Sequence, residues 1–234
     1  MRWLKLGIAI LLLPACVAMT RTAWQLGVTL LFEARAISAF AFCAGYGLWL
    51  LVFAFLPKPM RTYVLGHELT HAFWALMMGA RVSGLKVKST GGQVKTSKTN
   101  WFITLAPYFF PFYAMLFIVG FFIAHAIWNL SAYMWILFAL VGLGWSFHVT
   151  FTLMMLLSVR QPDVQSQGVL FSVVMIYLMN LLAITVTATA LSSALTFVAL
   201  ARTFGHDFVA CYGWALDKII VLWQYAAAKL HQSH

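Results

Sequence analysis

The feature that most constrains this chain is a succession of apolar segments, each close to the length that crosses a bilayer. They lie at about 4–20, 37–56, 62–79, 102–125, 131–157 and 168–200, and four of them (37–56, 102–125, 131–157 and 168–200) contain no Asp, Glu, Lys or Arg. A helix needs about 20 consecutive apolar residues to span the hydrocarbon core. Strands of a membrane barrel would alternate polar and apolar side chains, whereas these segments are apolar all round. Only 9% of the 234 residues are charged and 63% are hydrophobic, against about a quarter charged in a soluble domain. The expected fold is an all-α multi-pass membrane protein of about six transmembrane helices with a short cytoplasmic β-hairpin, in a single membrane-embedded domain over 1–234.

The formal net charge is +10. The cations sit between apolar runs, where they orient helices and meet anionic head groups. The lipid bilayer is therefore an expected partner and nucleic acid is not. Cys16, Cys43 and Cys211 are far apart, odd in number and without a CxxC pair, which reads as small buried hydrophobes. The basic, apolar start MRWLKLGIAILLLPACVAM reads as a retained anchor, because Pro14 fits a cleaved signal poorly and further apolar helices follow. Residues 22–35 read as a mixed connector. The stretch 209–231 is amphipathic at helical spacing, with Asp217, Lys218 and Lys229 off its apolar side, and suits the membrane surface or the flank of a bundle.

Residues 81–100, RVSGLKVKSTGGQVKTSKTN, hold five of the fifteen cations. Leu85 to Lys88 alternate at the strand period, Gly91 and Gly92 supply a turn, and Val94 to Lys98 can return as a second strand. The positive-inside rule places this hairpin in the cytoplasm, so the site described next is expected near the cytoplasmic face of a bacterial cytoplasmic membrane.

The segment GHELTHAFWALMMGARV (66–82) places His67 and His71 four apart, with Glu68 beside the first. Positions four apart share a helix face, so both imidazoles can bind one ion. Glu68 stands about 100° round the helix, able to reach a water on that ion without ligating it. The chain has only five acidic residues, and burying one in a membrane helix costs about 2.5 kcal/mol or more, so a divalent cation is an expected compensating partner. Two imidazoles with a carboxylate suit Zn²⁺. A zinc site needs a third protein ligand and an open position. Asp163, in SVRQPDVQSQG, is the candidate, with a plain helix cap as its other reading; His148 is the rival ligand or a polar neighbour of the site. His125 reads as interfacial, and His206, His231 and His234 have no partner spacing. In TNWFITLAPYFFPFY, Pro107 and Pro111 are expected to bend a membrane helix and open a path for water and substrate, with Asn100 at its start. Asn180 is explained by a helix–helix hydrogen bond.

Taken together, GHELTHAFWALMMGARV, the GG-containing hairpin, LAPYFFP and QPDVQSQG resemble the site-2 protease family of intramembrane zinc metalloproteases, over roughly residues 60–180. The chain looks most like small members without a PDZ-like or CBS-like domain. The resemblance implies that His67 and His71 ligate Zn²⁺ and that Glu68 is the catalytic base. It also implies that the hairpin offers an edge strand to an unwound substrate segment, with Gly91, Gly92, Val94 and Asn100 as the candidate substrate-binding residues. The expected activity is hydrolysis of peptide bonds in or near transmembrane segments of membrane-protein or peptide substrates; the oligomeric state is left open. The alternatives are a non-catalytic, metal-stabilised scaffold or partner-binding protein, and a metal transporter, which would carry polar residues in register on several helices.

Overall fold

The computed structural model describes residues 2–33, 36–158 and 160–232, so His234 and the end of the 22–35 connector lie outside it. The chain is mostly helical: α1 (Arg2–Leu11), α2 (Leu13–Glu33), α3 (Ala36–Phe55), α4 (Met60–Met77), α5 (Trp101–Leu105), α6 (Phe112–Trp128), α7 (Met134–Ser158), α8 (Pro162–Gln167), α9 (Val169–Leu191) and α10 (Phe197–Gln232). A two-stranded antiparallel sheet, β1 (Val82–Lys88) and β2 (Gly91–Thr96), lies between α4 and α5.

Among the described residues three helices, Ile37–Phe55, Ser131–Ser158 and Val169–Leu191, are long and apolar enough to cross a membrane, or up to five spans if two bent helix pairs each count as one. The expectation of about six is therefore corrected. Residues 62–77 of the expected 62–79 segment do form a helix, but Arg61 and Glu68 with two histidines lower the apolarity of α4. Residues 102–125 are not one rod: the chain turns by 83° between Trp101–Tyr108 and Phe112–Trp128. Pro111 has no N–H to continue a helix and restricts the residue before it. The 22–35 connector is helical through Glu33, and the amphipathic 209–231 stretch is part of the 36-residue α10.

The chain clusters into two compact units, Ala34–Ile176 and Met1–Glu33 with Tyr177–His234. In the first, α3 and α7 run parallel at backbone contact. A Cβ on Gly45 would collide with the Ala139 carbonyl, and one on Gly142 with the Phe42 carbonyl. Small residues are what let helix backbones approach this closely. Below the contact, Trp49 Nε1 donates to Thr150 Oγ1 at 2.9 Å, and Trp49, Tyr63, Val64, Phe147 and Phe151 form a buried cluster.

In the second unit Met19 and Leu26 of α2 pack with Leu200 of α10 and with Leu195 in the segment before it. Asp207 is completely buried there. Its Oδ2 accepts from Thr22 Oγ1 at 3.0 Å, while its buried Oδ1 makes no hydrogen bond and has Arg21 Nε at 3.7 Å and His206 Nδ1 at 3.6 Å. At the break between α1 and α2, the Tyr212 hydroxyl donates to the Leu11 carbonyl at 2.6 Å.

Gly142→Val should separate α3 from α7 and lower stability by about 1–3 kcal/mol or more, read as a fall in melting temperature of the detergent-purified protein. An unchanged melt would show that the helices do not meet at this glycine.

Candidate metal centre

Helix α4 presents His67 and His71 on one face, as the spacing of four requires, with ring centroids 4.9 Å apart and nearly perpendicular. The carboxylate that meets them comes from α8. Pro162 occupies its first turn, Gln161 is the N-cap residue, and Asp163 follows in the first turn. Asp163 is thus not the cap. Its Oδ2 lies 3.5 Å from His67 Nε2 and 3.6 Å from His71 Nε2, and the three donor atoms lie within 4.8 Å of one another.

Those separations discriminate between two uses of the group. A charge-assisted imidazole–carboxylate hydrogen bond would close to about 2.7–2.9 Å. Two donors each about 2.0–2.2 Å from one ion at the tetrahedral angle stand about 3.3–3.6 Å apart. The distances fit the second case, so the group can hold a metal ion.

The outer partners orient the ligand atoms. His71 Nδ1 is 2.8 Å from the Ile103 carbonyl. A carbonyl only accepts, so Nδ1 carries a proton, and Nε2 is the ring atom left to bind an ion beside Asp163. His67 Nδ1 has the Tyr63 hydroxyl at 3.4 Å. Ile103 is itself positioned by Asn100, whose Oδ1 accepts from the Ile103 amide at 2.9 Å while its Nδ2 contacts Met78 Sδ at 3.2 Å. Asn100 thus caps α5 and, through Ile103, sets the ring of His71.

Tyr108, in the 3-10 turn that follows α5, stands edge-on to His67 with centroids 5.3 Å apart. Its hydroxyl donates to Asp163 Oδ2 and to Gln161 Oε1, each at 3.2 Å. Sequence reasoning gave this residue no role, although a hydroxyl in the apolar run LAPYFFP was the available signal. Burial works against the charge of Asp163, but the imidazoles of His67 and His71 beside it outweigh that and hold the carboxyl well below the usual carboxylate range. Asp163 therefore stays ionised, as a metal ligand must.

Glu68 is buried, 7% exposed, and is directed at the hairpin. The Val94 amide of β2 donates to it. Gly92 presses on it so closely that a Cβ there would stand 2.5 Å from Glu68 Cγ and 2.7 Å from Val64 Cγ1. Gly92 and Val94 are thus beside the site, and Gly91 begins β2 next to the turn. His148 is buried on α7 against Trp145 and lines a small pocket with His67, Thr70 and Pro107; Asp163 is the residue that converges with the two α4 histidines. His125 lies in the last turn of α6, where its Nδ1 accepts from the Leu130 amide at 2.8 Å.

Comparison with protein-family models, with curated proteins and with solved structures finds no match to this chain.

Asp163→Ala should remove the metal, and Tyr108→Phe, which takes away one donor to Asp163, should weaken its binding by about 10–100-fold. Elemental analysis and competition with a chelator read both. Stoichiometric metal retained in Asp163→Ala would exclude Asp163 as a ligand.

Proposed function

We propose that this chain is a multi-pass membrane protein and an intramembrane zinc endopeptidase similar to the site-2 proteases. The observation that supports this most is the meeting of His67 and His71 with Asp163, whose Oδ2 stands 3.5 and 3.6 Å from the two Nε2 atoms, beside the buried Glu68. The apolar outer faces of the long helices favour the membrane reading. Leu51 and Phe55 on α3, Leu157 on α7, and Val169 and Val173 on α9 point outward, an arrangement that lipid accepts and water penalises.

The donor set of two imidazoles and a carboxylate suits zinc. His67, His71 and Asp163 would hold the zinc, which would supply Lewis acidity toward a carbonyl and a water. Glu68 then acts as the base. Its carboxylate takes a proton from the attacking water as the water oxygen bonds to the scissile carbonyl carbon. It delivers that proton to the amide nitrogen as the C–N bond breaks. The substrate would be a transmembrane or membrane-flanking segment in locally extended form, since a helix buries its peptide bonds in its own hydrogen bonds.

Glu68 is a buried carboxylate next to the two histidines and outside the ligand group, where a base would be needed. That observation favours the enzyme over a metal-stabilised scaffold. Glu68→Gln should leave metal content near the wild-type level and lower cleavage of a membrane-span substrate by about 10²–10⁴-fold, measured by gel shift in proteoliposomes. Cleavage persisting in this variant would refute the base assignment.

A further inference from the structure

The hairpin has two unlike faces and one unlike edge. Opposed residues of an antiparallel pair share a face. The pairs Val87↔Gly92 and Val82↔Thr96 therefore look one way, and Lys86↔Gln93, Lys88↔Gly91 and Ser83↔Lys95 look the other. The first face is partly buried at Val82, Val87, Val94 and Thr96 and packs on α4; the second is exposed. Between Ser83 and Lys86 the register shifts, with Gly84 at φ +65°, the left-handed conformation that a bulge of this kind needs. Lys95 lies across that bulge, its Cδ 3.5 Å from where a Gly84 Cβ would be. Lys86, Lys88 and Lys95 thus share one exposed face. None of the three forms an ion pair among the described residues, and the stretch 81–100 contains no Asp or Glu.

The edge follows from the same alternation. The Ser97 amide bonds to the Arg81 carbonyl at 2.9 Å, so residues 97, 95 and 93 turn their backbone groups toward β1. Gly92, Val94 and Thr96 then turn theirs to the unpaired edge of β2. The Val94 amide donates there to Glu68. The unpaired edge therefore passes directly over the proposed base.

We infer that the β2 edge with its lysine face selects an extended, acidic polypeptide segment as substrate. This rests on the protease reading above. A strand added at that edge forms backbone hydrogen bonds with Gly92, Val94 and Thr96. It takes over the Val94 amide and so frees the Glu68 carboxylate. Its side chains on the outer face then lie beside Lys95, with Lys86 and Lys88 one strand further on and within reach of their long stems. Acidic residues at alternate positions meet this face. An anionic lipid head group would also meet the lysines, but it leaves the N–H and C=O groups of the edge unpaired, and a peptide strand does not.

Three synthetic peptides serve as probes. Each has one apolar span followed by the same extended segment, with Asp, Ser or Lys at three alternate positions. Binding to the full chain carrying Glu68→Gln, which keeps an acceptor for the Val94 amide, is read by fluorescence anisotropy in detergent, and cleavage is read with the wild type. The Asp peptide should bind about tenfold tighter than the Ser peptide, with a preference that fades at high salt, and the Lys peptide should bind weakest. Lys86→Glu, Lys88→Glu and Lys95→Glu combined should invert the order, and the Gln versions should abolish it, each with wild-type metal content as the check of folding. Equal binding of the three peptides, or an order unchanged in the variants, overturns the proposal even if all three are cleaved. Charge-ordered binding with no cleavage keeps the acidic-peptide surface and overturns the protease reading instead. Lysine-dependent capture of anionic vesicles without discrimination among the peptides assigns the face to lipid and overturns the inference.

Discussion

Most of what is distinctive here follows from the placement of a few carboxylates in a chain that has almost no charge. Glu68, Asp163 and Asp207 are three of five acidic residues, and each has polar or cationic groups beside it. Asp163 faces two imidazoles and a phenol, Asp207 a hydroxyl, a guanidinium and an imidazole, and Glu68 a backbone amide. An unpaired charge in an apolar interior is too costly to persist, so these pairings decide which helices come together. The candidate metal centre joins α4 to α8 through Asp163 and both to the α5 segment through Ile103 and Tyr108. The ligand group and its outer partners form one connected set, which is how a site is held to the tolerance that chemistry needs.

The hairpin is the second consequence. A two-stranded ribbon is marginal alone in water. This one is supported because Val87 packs against the Trp49, Phe147 and Phe151 cluster and Gly92 lies on Glu68. Bringing a backbone that close requires the residue without a Cβ. The same contact leaves a strand edge, normally a liability, beside the proposed base. Its lysine face supplies the charge that a long flat edge needs to resist self-association, so one feature serves both protection and selection.

Much of this was legible in the residues themselves. A spacing of four puts His67 and His71 on one helix face in any helical context, and Glu68 beside them follows from the same geometry. The alternation of Leu, Val and Lys specifies a basic hairpin, but the expected turn at Gly91 and Gly92 is corrected: the turn falls at Ser89 and Thr90, and both glycines lie in β2, paired with Lys88 and Val87. The breaks were less legible. Pro107 and Pro111 mark irregular backbone, but an 83° turn depends on where α5 and α6 each find packing. The count of spans failed for a related reason: hydropathy averages over a window, while a helix that carries a metal site is apolar only in part. Asn100 shows a third limit. Its position before an apolar run suits a pore or substrate role as well as a cap, and only the Ile103 amide at 2.9 Å assigns it to the α5 terminus and thence to His71.

The sequence by itself determined that the chain is predominantly helical and apolar, that two imidazoles share a face, and that a basic hairpin follows them, because these are consequences of local period and composition. The tertiary structure decided that Asp163 rather than His148 completes the group. It decided that Tyr108 steadies Asp163, that the unpaired edge of β2 lies over Glu68, and that Asp207 ties α10 to α2. Each of these joins residues far apart in the chain, and no local pattern encodes the packing that brings them within a few ångströms.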